Sequence, residues 1–435
     1  MRMSDTTNPK AFNNSLSTRE FGVIGDGVTD DTEALQNAIN SGVPSITVDG
    51  NVQITSTMVL ANGQTLSVPS GSSIVWAGPA GGTVITSPSS SKLIDASILC
   101  QGSGFIDLGN AGIGMYLHSH NGCVFEWRSQ GASQTSTVIQ SIADSGTSMN
   151  SSTNKWLSLR HDNDCGRLMY IAGNKTMGAY NTISTYGRIR CAGNCYAAGI
   201  EFGANCDTNF FAEMVSLDLA NGVTGATGIK CADDPTCYGQ HFADVNIAFY
   251  GSSSNRVGLY VGSQNRWIQA DRLFIDSSNS SEVDAGAIVV SPSAISYRIA
   301  VSSDVGGFYN FERLLSLGYT IQSHDFVGEI HVSLAPGTAQ AIVVPAGAGI
   351  LAMTCGDSNF SGLLLTINGS TFVPRALALP GATYIVLGNG ALGNGGGTAG
   401  RLNINTCTDG KLYMSNRLSS EILGITLTFV GATGR

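Results

Sequence analysis

The sequence predicts an all-β chain: a parallel β-helix behind a short capping helix, followed by a β-sandwich-like domain. Three observations carry this. Two series of short alternating strands interleave at a constant step of about thirty residues. The composition is turn-rich and poor in charge, with 55 Gly and only 12% Asp, Glu, Lys and Arg. Beyond about residue 320 the repeat gives way to short strands separated by Gly, Pro and Asn.

The chain opens with some twenty polar residues (1–20), read as a short anchor or linker. Residues 21–40 then read FGVIGDGVTDDTEALQNAIN. Gly25, Asp26 and Gly27 make a turn, Thr29 to Asp31 offer capping side chains, and Ala34, Leu35, Ala38 and Ile39 repeat at helical spacing. This predicts a loop running into a short helix, with residues 21–95 as the capping region. Asp26, Asp30 and Asp31 are read as structural rather than catalytic.

The repeat fills residues 96–322. Gly114, Gly166, Gly199, Gly228, Gly258 and Gly286 each lead a strand, and from Gly166 the steps are 33, 29, 30 and 28 residues. Between them run WLSLR, YGRIR, VSLDL, VNIAF and RLFID, whose central Leu159, Ile189, Leu217, Ile247 and Ile275 step by 30, 28, 30 and 28. One coil cannot bury its apolar face alone, so successive coils stack over a shared core. Alternate side chains of a strand face opposite ways. Counting from the apolar centres puts Arg160, Arg190, Asp218, Ala248 and Asp276 in one outward column, with Trp156, Tyr186, Met214, Asp244 and Arg272 beside it. The Gly-led strands give a further outward column of Tyr116, Met169, Glu201, Lys230, Tyr260 and Val289.

Residues 323–435 hold EIHVSL, AQAIVV, GLLLTI, TYIVLG, RLNIN and GITLTFV, spaced as in a sandwich or jelly-roll. The stretch 387–400, LGNGALGNGGGTAG, reads as a surface loop.

The run FGxxGDGxTDDTxAxQxAI resembles the opening signature of the pectate-lyase-like right-handed β-helix superfamily, widespread in phage tailspikes and depolymerases of bacterial capsule or O-antigen. The resemblance implies a right-handed solenoid, a homotrimer, and a C-terminal module for trimerisation or carbohydrate contact. It also implies a place in the virion tail, with the N-terminus joined to a baseplate or tail adaptor; the short stretch before the motif fits a small anchoring peptide or a truncated chain.

A net charge of -9 argues against nucleic acid, which calls for a basic patch. No apolar run reaches 18 residues, and the first residues lack the apolar core of a secretory signal. The ten cysteines are therefore read as buried thiols. Cys191/Cys195 and Cys231/Cys237 lack a second pair, and His118 and His120 in LHSH lack a third ligand. No metal or other cofactor is expected.

Hydrolysis of a polysaccharide needs one carboxylic acid to protonate the leaving oxygen and one carboxylate to activate water or attack. Asp218 and Asp276 share a column two coils apart, a spacing of about 9.6 Å, at the upper edge of an inverting pair. Glu201 and Asp244 are the reserves. Arg160, Arg190, Tyr186, Tyr260 and Trp156 are the expected sugar contacts, rings stacking on C–H faces and charges holding hydroxyls. Asp207, Glu213, Asp233, Asp234 and the cluster Arg160–Asp164 are further candidates, Glu213 pointing inward unless a kink intervenes. A lyase would instead take a proton α to a uronate with Arg188, Arg190 or Tyr186. A non-catalytic adhesin would need no clustered acids. The sequence thus predicts a glycan-depolymerising hydrolase, with lyase and adhesin as alternatives.

Overall fold

Short strands that bury every second side chain stack only by repeating their coil, and this sets the architecture. The computed structural model describes residues 15–146, 149–219, 225–249, 256–276, 288–291, 297–302, 326–343, 348–354, 363–368, 375–378, 385–406, 411–419 and 422–432. The fold is all-β, a parallel β-solenoid of about eight turns with a single α-helix among the described residues. The chain divides into two compact units, residues 1–218 and 219–435.

In the first unit the strands of the described residues pair in parallel, one coil to the next. One face runs through Ser45–Thr47, Thr65–Val68, Ser97–Cys100, Val124–Gln130 and Lys155–His161 into Thr185–Phe202. Another stacks Met58–Val59, Thr83–Thr86, Ile113–Leu117, Thr137–Ile142 and Cys165–Ala172. These are the two strand series of the sequence. A third face, Asn51–Ile54, Ser73–Trp76 and Phe105–Asp107, lies in the early coils, outside the two strand series of the sequence.

The helix Thr32–Asn40 buries Leu35, Ala38 and Ile39. The acids beside it are consumed by backbone. Asp31, 2% exposed, accepts from the amides of Ile24 and Gly25 at 2.8 Å, and Asp26 accepts from those of Val28 and Thr29. Asp30 accepts from the hydroxyls of Thr32 and Thr55. A Cβ on Gly25 would lie 2.5 Å from the Asp49 carbonyl oxygen, so this turn admits no side chain.

Two steps of the expected interior column stand in register. Leu159 stands opposite Ile189 and Ile247 opposite Ile275, and Leu159, Ile189, Leu217 and Ile247 are buried. Strict alternation fails just before these centres. Trp156 and Leu159 are both interior with two residues between them, because Leu157 is an extra residue against the preceding strand, where the register shifts between Phe125 and Glu126. The next strand keeps this bulge. Counting parity through a bulge reverses the face. Trp156 and Tyr186, expected outside as sugar contacts, are each 1% exposed and belong to the core. They stack with Phe125 and Phe211 in an interior row, ring centroids 4.6, 6.0 and 4.3 Å apart. Glu213 is exposed: none of Ala212, Glu213 and Met214 is buried between the buried Phe211 and Val215, so alternation breaks here too. Met169 is also interior, at 0% exposure, since Met169 pairs with Ile200 and the outward position is Tyr170.

In the second unit parallel pairing continues between Thr227–Cys231, Val257–Val261 and Ile288–Val290, and between His241–Phe249, Ile268–Asp276 and Tyr297–Ser302. The C-terminal strands are antiparallel in one sheet, Phe326–Leu334, Ile422–Ala432, Ala348–Thr354, Leu363–Asn368 and Arg375–Ala378. A second sheet holds Ala339–Val343, Lys411–Asn416, Leu402–Thr406 and Ile385–Asn389. The repeat's expected last residues, 303–322, lie outside the described residues. No helix among the described residues is long and apolar enough to cross a membrane.

Candidate functional site

A parallel solenoid places one outward residue per coil in register, so a surface ladder is its natural site geometry. On the Gly-led face Thr86 pairs with Tyr116, Tyr116 with Gln140, Gln140 with Tyr170 and Tyr170 with Glu201. All five are half-buried. Four steps at about 4.8 Å give a ladder near 19 Å long.

Two polar knots flank it. At one end Asp144 accepts from the Tyr116 hydroxyl at 2.6 Å and meets His118 Nδ1 at 2.7 Å, with the two rings 4.1 Å apart. Burial pushes the Asp144 carboxyl up, but hydrogen bonds from His118 and Tyr116 outweigh it and hold it below the usual carboxylate range. Burial, aided by Asp144, pushes the Tyr116 phenol well above its ordinary value, and burial with the Glu201 charge does the same to Tyr170. Both tyrosines are therefore protonated donors near neutral pH. At the other end Arg167 Nη2 reaches Glu201 Oε2 at 2.6 Å, and its guanidinium lies 5.2 Å from the Tyr170 ring centroid.

The neighbouring face carries Arg128, Arg160 and Arg190 in register. Asp162 accepts from Arg128 Nη2 at 3.1 Å and from Arg160 Nε. Burial pushes the Asp162 carboxyl up, and these guanidinium contacts bring it below its ordinary value. Arg190 is exposed and has no ion pair among the described residues. Asp164 accepts from Asn194 and Tyr196, which accounts for the last acid of the Arg160–Asp164 cluster.

Asp218 ends the outward parity of its strand and is half-buried. In the second unit Asp276 stands opposite Ala248 by backbone register; its side chain lies outside the described residues. Asp244 lies 3.5 Å from Arg272 Nη1. The Tyr260 hydroxyl donates to Asp233 at 2.9 Å, and Asp233 also accepts from the Ser263 amide, so Asp233 closes a turn.

The structure thus brings Glu201 together with Arg167 and Tyr170, and Asp144 with Tyr116 and His118. Sequence reasoning missed Tyr170, Arg167, Gln140 and Asp144. The sequence places Met169 outward on the strand from Gly166, whereas Leu168 and Met169 are both buried and the outward position is Tyr170. Asp144 sits past a strand end, where no periodicity reaches.

No protein-family description matches the chain, and neither does any curated protein. Among solved structures it is similar to the surface adhesin PfbA of Streptococcus pneumoniae, at 13% identity over 67% of this chain and 95% of that one, TM-score 0.39. The tailspike of an Acinetobacter phage gives 13% identity over 96% and 88%, TM-score 0.36. The Dettilon tailspike gives 13% over 96% and 94%, TM-score 0.33. Likeness at this level carries no argument about activity; the solenoid is established by its strand registers.

Proposed function

We propose that this protein is a phage tailspike of the virion tail that binds a bacterial surface polysaccharide and cleaves it hydrolytically as an endo-glycosidase. The observation that supports it best is the half-buried ladder Thr86, Tyr116, Gln140, Tyr170 and Glu201. It alternates rings with hydrogen-bonding groups at a regular spacing, matching a polymer that repeats apolar C–H faces and hydroxyls. The opening motif's resemblance to tailspike depolymerases supports the same reading. Homotrimeric assembly and attachment through the N-terminus to a baseplate or tail adaptor belong to the proposal; light scattering near 45.1 kDa, the mass of one chain, would contradict the trimer.

Of the bases named for elimination, Tyr186 lies in the core, whereas Arg188 and Arg190 are exposed, so elimination stays the second reading. In hydrolysis one carboxylic acid protonates the glycosidic oxygen as the bond to the anomeric carbon breaks. The other carboxylate takes a proton from the incoming water, or attacks first and is released by water.

The candidates for these roles are Asp218, Asp276, Glu201 and Asp244, with Arg160, Arg190 and Tyr260 as substrate contacts. The test changes each acid singly: Asp218→Asn, Asp276→Asn, Glu201→Gln and Asp244→Asn. Loss of a general acid or base lowers turnover about 10²–10⁴-fold while glycan binding persists. If all four variants fold and turn over at the parent rate, these residues are not the catalytic groups.

A further inference from the structure

One corner of the solenoid interior gathers sulfur. His161 and Cys165 close one coil, four residues apart, and Cys191 and Cys195 close the next with the same spacing. Register sets His161 opposite Cys191 and Cys165 opposite Cys195, a two-by-two array of three thiols and an imidazole. All four side chains are 0–1% exposed. The three sulfurs lie within 4.8 Å of one another, Cys165 and Cys191 at 3.9 Å, and none is in a disulfide.

We propose that Cys165, Cys191 and Cys195 bind a Zn²⁺ ion; His161, the fourth corner of the array, lies outside the 4.8 Å group that the sulfurs form and closes on the ion only by moving toward it. Four tetrahedral ligands at a Zn–S distance of about 2.3 Å place the sulfurs about 3.8 Å apart, so the observed spacing needs only small closure. Three thiolates with one imidazole are a donor set of structural zinc. Charge selects the ion: three thiolates leave one net negative charge around Zn²⁺ but two around Cu⁺, and buried net charge is costly. Each thiol gives up its proton on binding, so three protons leave for each zinc taken up.

The corner is held rigid from outside. A Cβ on Gly193 would lie 2.0 Å from the Asn163 carbonyl carbon, so the two corners touch backbone to backbone. Asp164 accepts from the Asn194 amide at 2.9 Å and from the Tyr196 hydroxyl at 3.1 Å, tying the same two coils. His161 Nδ1 lies 3.0 Å from the Ser129 hydroxyl, while Nε2 has one long contact, 3.4 Å, to the Asp164 carbonyl oxygen. The 191–195 spacing looked incomplete in the sequence because the third sulfur comes from the preceding coil.

The full chain, grown with zinc and purified without chelator, should carry about one zinc per chain by elemental analysis. Cys191→Ser should lose it, and Cys100→Ser, a buried cysteine outside the cluster, should keep it. Chain grown in cobalt medium should show visible ligand-field bands and thiolate charge transfer, which keeps the proposal testable if the serine variant fails to fold. Zinc below about a tenth per chain with no cobalt bands would overturn it. So would a Cys165–Cys191 disulfide by mass, or equal zinc in Cys191→Ser.

Discussion

His120 shows how burial turns a single side chain into a pH dependence. It is 1% exposed, and burial pushes its imidazole down to about 4, only partly offset by the His118 carbonyl oxygen. Below the ordinary value near 6.5 the unfolded chain takes a proton that the folded site refuses, so stability falls as pH drops from 6.5 towards 4 and levels off below. At pH 5 the contribution is roughly 2 kcal/mol. Urea midpoints at pH 7 and pH 5 should therefore separate more for the parent than for His120→Gln; equal separations would contradict this. Asp144 and Asp162, both held below the ordinary carboxylate range, add stability above about pH 4 that is lost as pH falls through their lower folded values. Little of this was legible in the sequence. His118 and His120 read as a pair on one face, yet His120 turns inward while His118 faces Asp144, and nothing local in LHSH distinguishes them.

At the scale of the strand, the repeat could be read because stacking demands an apolar centre at constant spacing, and Leu159, Ile189, Leu217 and Ile247 supply it. The bulge could not. One extra residue at Leu157 leaves the period near thirty, so the count survives while the facing of everything before it reverses. That is why Arg160 and Arg190 were placed correctly outside, and Trp156 and Tyr186 were not. The same geometry yields a contrast. Trp156→Ala removes the middle of an aromatic row and should cost about 3–5 kcal/mol by chemical denaturation. Arg160→Ala, at an exposed ion pair, should cost under about 1 kcal/mol. A Trp156→Ala variant with parent stability but weakened glycan binding would restore Trp156 to the surface and contradict the interior row. The residues of the ladder were half legible: Tyr116 and Glu201 were in the predicted column, whereas Gln140 and Tyr170 occupy coils where the glycine did not mark the facing.

At the scale of the molecule, a solenoid converts a sequence period into a surface period, and under the proposed function that surface period meets a repeating ligand. Tyr116 and Tyr170 as proton donors, Glu201 held by Arg167, and the in-register arginines of the adjacent face form a polar, aromatic surface, which under the proposed function meets a long, hydroxyl-rich chain. The opening motif and the strand repeat made this architecture readable; the identity of the sugar is set by side-chain positions across coils, which spacing in sequence does not encode. The most direct measurement incubates the full chain with purified bacterial capsules and O-antigens, and follows product size and mass. The proposed hydrolysis predicts that one polysaccharide is cut to oligosaccharides of its repeat, each cleavage adding one water and no new ultraviolet absorbance. Products with unsaturated, ultraviolet-absorbing ends would contradict hydrolysis, and tight binding with no change in polymer length would contradict cleavage.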